Sequence, residues 1–168
     1  MLTPATYRVT MFPPLYAATR LREEASIHPT SEDFRNLLHF RVTLRRFLRW
    51  SEEQAAEAGL TPAQHQLLVA IKGHPGPRPP AIREIAEYLL LQSHSAVGLV
   101  DRAEAAGVVR RRPDPDDARV VRVELTEKGD KLVTELTTAH LTKLYELAAA
   151  LNDLLPAREQ EAGVRRRL

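Results

Sequence analysis

The stretch from Arg110 to Gly129 constrains this chain most. Arg110-Arg111-Arg112 leads into Pro113-Asp114-Pro115-Asp116, then Asp117-Ala118-Arg119, and from Val120 to Leu125 the pattern becomes strictly alternating. Val121, Val123 and Leu125 fall on one side, Arg122 and Glu124 on the other, which is the two-residue period of a half-buried strand. Thr126-Glu127-Lys128-Gly129 follows at once. Thr126 is a good helix N-cap, and Glu127 sits where the positive end of a helix dipole favours an acid. The segment therefore predicts a hairpin with a rigid, basic-shouldered turn that runs straight into a helix. It carries no catalytic group, but it can carry an arginine out from the body to a phosphate-rich groove.

The preceding residues sharpen this reading. Ala81 to Leu90 predicts a short helix, with Ile82, Ile85, Ala86 and Leu89 at helical spacing and Pro79 and Pro80 just before its start. A second helix is predicted from Ser93 to Ala106, stopped by Gly107. Its Ala96, Leu99, Val100 and Ala103 follow the i, i+3, i+4, i+7 spacing of an inward face. His94, Ser95, Gly98, Asp101 and Arg102 are left on or near the outer face. Two short helices with a polar second member match a helix-turn-helix, and the hairpin after them makes it winged.

These residues resemble a known family. Leu91 to Arg102 (LQSHSAVGLVDR) with Ala106-Gly107-Val108-Val109-Arg110 is similar to the recognition helix of the MarR family of bacterial transcription regulators. Asp117-x-Arg119 with Val123-x-Leu125-Thr126-x-x-Gly129 is similar to that family's wing. The resemblance covers roughly residues 31 to 155. The N-terminal thirty residues depart from the pattern, and the C-terminal helix is short for it. The resemblance implies a homodimer built by helices 31–58 and 126–155, around a winged helix-turn-helix over 61–125. It implies a recognition helix from Ser93 in the major groove of double-stranded DNA at a palindromic operator, and Arg119 in the minor groove, oriented by Asp117. It further implies release of a repressor by a small molecule, such as an anionic aromatic, bound between the dimerisation helices and the DNA-binding lobe.

Composition is compatible with this but does not select it. With 24 Lys and Arg against 22 Asp and Glu the net charge is only +2, so any nucleic-acid contact depends on where the charge sits. The 168 residues suffice for one domain with a core. There is no cysteine, which excludes disulfides and thiol-based sensing. No stretch approaches the roughly 20 apolar residues of a membrane span, and no signal-peptide core is visible, so the expected location is the cytoplasm. Residues 1–22 hold Arg8, Arg20 and Arg22 but no acid. That bias faintly resembles a transit peptide; the preferred reading of 1–30 is a disordered or loosely docked arm, and Met11 is an alternative start.

The rest of the chain predicts long helices and a class that is mostly α, with a small β component. Ser31 is the predicted N-cap of a helix to about Ala58, whose Phe34, Leu37, Leu38, Val42, Leu44, Phe47 and Leu48 spread over more than one face. That is more apolar surface than a small domain covers, which suggests a partner. Thr61-Pro62-Ala63-Gln64 is a capping box opening a helix to about Lys72, ended by Gly73 and Pro75. A helix from Thr126 to about Leu155 carries a leucine stripe, and 156–168 form a basic tail. The candidate DNA-binding residues are Ser93, His94, Ser95, Gly98, Arg102, Arg110, Arg111, Arg112, Asp117 and Arg119. The candidate effector-pocket residues are His39, Arg41, Arg46, Trp50 and His65, with arginine to pair an anion and Trp50 to stack on a ring.

Blander readings stand beside each. Arg119 and Asp117 can form a local surface ion pair of little worth. Gly98 in mid-helix costs about 1 kcal/mol relative to Ala and is either tolerated or needed for close approach to DNA. His94 can be an idle surface residue. The six histidines show no mutual i, i+3 or i+4 spacing, so no metal, cofactor or catalytic site is expected. The competing class is a winged-helix module that contacts protein and has no DNA target of its own.

Overall fold

The computed structural model describes residues 29–152 of the chain. Both the N-terminal arm and the basic tail lie outside these residues, as does the end of the last predicted helix. In order, the elements are α1 (Ser31–Glu57), α2 (Pro62–Lys72), α3 (Ile82–Tyr88), α4 (Ser93–Ala105), β1 (Val109–Pro113), β2 (Val121–Leu125) and α5 (Glu127–Asn152). This is a mostly helical winged helix-turn-helix with a long helix at each end.

Three helix starts are fixed by threonine. Thr30, not Ser31, caps α1: its Oγ1 accepts from the Asp33 amide at 3.2 Å, while Asp33 accepts from the Thr30 amide at 2.8 Å. Ser31 is the first helical residue, because the acid one turn on must sit three positions after the cap to reach back. Thr61 and Gln64 make the expected reciprocal pair at the start of α2. Thr126 Oγ1 accepts from the Gly129 amide at 3.1 Å at the start of α5. The α3 helix is shorter than the predicted Ala81 to Leu90, since Ala81 takes part in an isolated bridge with Arg122.

The ends of α1, α3 and α4 share one design. The residue after the cap turns left-handed, and the next amide bonds back five residues: Leu60 to the Ala55 carbonyl, Leu91 to Ala86 and Val108 to Ala103, at 2.9 Å, 2.9 Å and 3.1 Å. Gly59 and Gly107 supply the positive φ in two cases, but in the third it is Leu90, at φ 54°. A leucine there strains against its own carbonyl, and this one is 93% exposed, so no burial offsets the strain.

The wing is a two-stranded antiparallel sheet with Val109 opposite Leu125 and Pro113 opposite Val121. Its second strand is also anchored to the Pro79–Pro80 segment. The Val123 amide bonds the Pro80 carbonyl at 2.9 Å, and Arg122 donates to the Pro79 carbonyl at 2.7 Å. Prolines can serve as this short edge because only their carbonyls are needed.

The core lies in the lobe. Leu67 and Leu68 of α2 are fully buried with Ile85, Val100, Val108, Val109 and Val123, and α5 adds Val133. Burying each large aliphatic side chain contributes about 1.5–3 kcal/mol, so α2 at the centre dominates lobe stability. By contrast, only Ser51 and Ala55 are buried among the 27 residues of α1.

Two substitutions should separate these effects. A Cβ on Gly129 would lie 2.0 Å from the Val108 carbonyl oxygen, so Gly129→Ala should destabilise by about 1–3 kcal/mol through overpacking. Leu90→Gly should stabilise by up to about 1 kcal/mol, the relieved strain exceeding the added unfolded-state entropy. Urea unfolding of the two variants reads both; a stability loss for Leu90→Gly would contradict the strain argument.

Candidate nucleic-acid interface

The wing and α4 stand side by side. Between them and the start of α3 runs a groove of about 510 Å³, lined by Ala81, Ile82, Arg83, Glu84, Val97 and the wing segment Arg119 to Arg122. Ser93 and His94 are exposed and Ser95 is half-buried, at an α4 start whose cap, Gln92, makes no side-chain capping bond. Ala96, Leu99, Val100 and Ala103 face the core, as the spacing predicted. Arg102 is exposed, and its carbonyl is held by Gln64 at 3.3 Å. A Cβ on Gly98 would meet nothing nearer than the Arg102 guanidinium at 3.4 Å, so internal packing does not demand a glycine there.

The arginine run is already neutralised at its root. Arg110 and Arg112 both ion-pair Glu124 across the strands. Burial pushes the Glu124 carboxyl up, but Arg112 and Arg110 together outweigh it and hold it below its ordinary value. Arg111 turns the other way, onto Asp101 at 2.6 Å and Glu104, and its amide bonds Glu104 at 2.9 Å. Arg111 thus clamps β1 to the outer side of α4.

Asp117 does not hold the Arg119 guanidinium as expected. Its Oδ1 accepts from the Arg119 backbone amide at 3.0 Å, and the Val120 amide bonds the Asp117 carbonyl at 2.9 Å. Short loop acids bond a backbone amide two residues on because that ring closes with little loss of side-chain freedom. Asp117 therefore fixes the backbone that carries Arg119. Among the described residues, no carboxylate lies within ion-pair distance of the Arg119 head, which leaves its charge at the exposed lip of the groove.

The residue that organises the wing is Asp114, which the sequence reading treated only as part of a turn. Its side chain is 4% exposed. It receives the Arg122 guanidinium, the Asp116 amide at 2.8 Å, the Asp117 amide at 3.2 Å and Arg78 at 3.3 Å. The Arg122 bond, then the Asp116 amide, hold its carboxyl at about 2, well below the ordinary carboxylate range. Arg83 and Arg122, at the groove, were also missed; neither belongs to a charge run, so only the tertiary fold brings them to Arg119.

A second concavity of about 410 Å³ lies between the long helices, lined by Thr43, Arg46, Phe47, Trp50, Lys143 and Leu147. It contains Arg46 and Trp50 of the predicted pocket set. His39 and Arg41 are exposed and do not line it. His65 is buried behind it, its ring 4.8 Å from that of His140, which in turn lies 4.8 Å from Trp50.

A sequence profile described as the MarR family matches residues 58–120, the span from the end of α1 to the wing. Over that span the chain is similar to the MarR family. It is 30% identical over 95 residues to the HTH-type transcriptional regulator MhqR of Bacillus subtilis, covering 56% of this chain and 63% of that protein. It is 37% identical over 82 residues to the HTH-type transcriptional repressor NicR of Pseudomonas putida, covering 49% and 50%. The chain thus matches between half and two thirds of these relatives' own length. The fold is also that of AbsC, a MarR family transcriptional regulator from Streptomyces coelicolor, at TM-score 0.60 and 20% identity over 85% of this chain and 93% of that one. The MepR–DNA complex of S. aureus superposes at TM-score 0.56 and 21% identity, over 76% and 89%. At such identities these two establish the fold alone.

Asp114 makes the wing acid-sensitive. Its folded value lies below that of the unfolded chain, so its contribution is complete above about pH 4 and is lost as pH falls toward about 2. Asp114→Asn should remove that part of the acid response and speed amide exchange of residues 113–121 at neutral pH. Equal exchange in the variant and the parent would mean that Asp114 does not hold the wing.

Proposed function

We propose that this chain is a DNA-binding transcription regulator that acts as a homodimer on palindromic operators, represses, and is released by a small anionic ligand. The observation that carries the reading is Arg119, its backbone fixed by Asp117 and its head free of any carboxylate among the described residues, beside the exposed start of α4. Ser93, His94 and Ser95 there have short polar groups suited to base edges or phosphates, and a narrow minor groove attracts a guanidinium by its potential. Relatives named as HTH-type transcription regulators, and a structural neighbour solved on DNA, support it.

Dimerisation is supported by apolar side chains left in water. Phe34 at 63%, Leu37 and Leu38 on α1, and Leu141, Leu144 and Tyr145 at 79% on α5, are exposed. A two-fold interface buries such a face and sets the spacing of the two recognition helices. The cleft between α1 and α5 supports the effector: Phe47 and Trp50 offer apolar walls, and Arg46 and Lys143 offer positive charge. Among the described residues no helix is long and apolar enough to cross a membrane, and a regulator of transcription works where the DNA is, in the cytoplasm.

Two measurements test this. Affinity for an operator selected from genomic fragments should fall by about 10³–10⁵ between 50 and 200 mM salt, as expected for 6–10 phosphate contacts. Arg119→Ala should weaken every operator variant by a similar factor, about 1–3 kcal/mol, while His94→Ala relaxes base preference. Binding that ignores both salt and Arg119 would favour the protein-contact module. In sedimentation at micromolar concentration the chain should run at about twice its 18.9 kDa mass; a folded monomer would overturn the dimer.

A further inference from the structure

We propose that the contact between His65 and His140 is an acid-sensitive joint between the long helices and the winged lobe, with Trp50 as its built-in reporter. The joint itself stands on geometry within one chain; only its consequence for DNA rests on the reading above.

His140 belongs to α5, and its half-buried ring is held by three helices. Its Nδ1 faces the Leu136 carbonyl at 2.6 Å and its Nε2 faces Ser51 Oγ of α1 at 2.7 Å. A carbonyl can only accept, so Nδ1 carries the hydrogen, and neutral Nε2 accepts from the Ser51 hydroxyl. Trp50 lies 4.8 Å away, and Phe47 meets the ring edge-on at 5.9 Å. The remaining neighbour is His65 of α2, at 4.8 Å. His140 is thus where α1, α2 and α5 meet, and His65 is the lobe's side of that meeting.

Around the pair, α1 brings Ser51, Trp50 and Phe47, with Arg46 at the nearby cleft; α2 brings His65; α5 adds Lys143 at the same cleft. Among the described residues no carboxylate lies within ion-pair distance of either imidazole. Two imidazoles in ring contact cannot both be charged without strong repulsion. His65 is 4% exposed, and burial first, then His140, hold it below its ordinary value.

The direction follows. The unfolded chain takes up a proton at His65 near the ordinary value of about 6.5, while the folded chain resists it. The stabilising effect is therefore complete above that value and is lost as pH falls toward the lower folded one. Because the charge arrives at the seam between α2 and α5, acid loosens the seam before the lobe core, which holds no titratable pair. A lobe freed from the long helices no longer holds the spacing between two recognition helices.

Trp50 is the chain's only tryptophan, and its ring lies against His140, so loosening of the seam changes its surroundings. The full-length protein is titrated from pH 8 to 5 with circular dichroism at each point to confirm the fold. Trp50 emission should change along a one-proton curve as the seam loosens, and His140→Gln should flatten it. In the same variant the His65 ring-proton resonance should titrate about half a pH unit or more higher than in the parent. Flat emission in the parent, or an unmoved His65 curve, overturns the proposal. If His140→Gln does not fold, His140→Phe fills the same space. The parent alone also decides: amide protection in residues 62–72 and 133–140 should fall more between pH 7.5 and 5.5 than in α4, after correction for intrinsic rates. A uniform loss overturns the joint.

Discussion

The approach of Gly129 to the Val108 carbonyl governs how the two halves of this molecule are set. At that point α5 begins directly on the turn between α4 and β1, with no linker. Thr126 joins both sides: its amide bonds the Val108 carbonyl at 3.2 Å, its hydroxyl donates to the Gly107 carbonyl at 2.7 Å, and Oγ1 also accepts from Gly129. Lys128 reaches the Ala106 carbonyl at 3.0 Å, taking another of the carbonyls that a helix end leaves over. The end of α4, the start of the wing and the start of α5 are therefore one rigid knot. Any change in the angle between long helix and lobe has to be taken up elsewhere, outside this knot.

The wing shows how a nearly neutral chain can still present local positive charge. Arg110, Arg111, Arg112 and Arg122 are each tied to a carboxylate, and each tie fastens one element to another. Such exposed pairs individually contribute little. Their joint effect is positional, because they immobilise the strands that carry the one arginine left over. Asp114 has a larger share, since a nearly inaccessible carboxylate with four donors cannot give up any of them cheaply. The charge proposed to meet DNA is thus separated in role from the charges that build the hairpin. In the run Arg110-Arg111-Arg112, each side chain also fastens the hairpin through an ion pair.

What could be read from the sequence was what repeats locally. The alternation from Val121 to Leu125, the caps at Thr61 and Thr126, the stop at Gly107 and the inward face of α4 all depend on neighbours within a few residues. They appear in the structure as read. The differences had two sources. A remote element drew Ala81 out of its helix to bridge Arg122, and a choice between adjacent candidates went to Thr30 instead of Ser31 because of where Asp33 falls. His140, Arg83, Arg122 and Asp114 had no local signature, since their roles come from partners as far as 89 or 36 positions away or from the groove that the arginines line. Lys72 to Asp130, 58 positions apart, is the same kind of long-range tie, joining α2 to the first turn of α5.

The position of α1 completes the argument. A helix with two buried residues in 27 gains little from burial against its own chain, and in proteins most helical stability comes from packing an apolar face. What it does bury is instructive: Ser51 and Ala55 sit near its end, beside Trp50 and Phe47, on the histidine seam. The beginning of the helix, with Phe34, Leu37 and Leu38 in water, has no such anchor. In the proposed dimer that end is covered by the second copy, and the helix becomes a lever with its fixed point at Ser51 and its free end in the interface. A ligand wedged at Arg46 and Trp50, or a proton at His65, then acts near the fulcrum. In that dimer, small displacements there would be carried by a stiff helix to the interface that sets the distance between recognition helices.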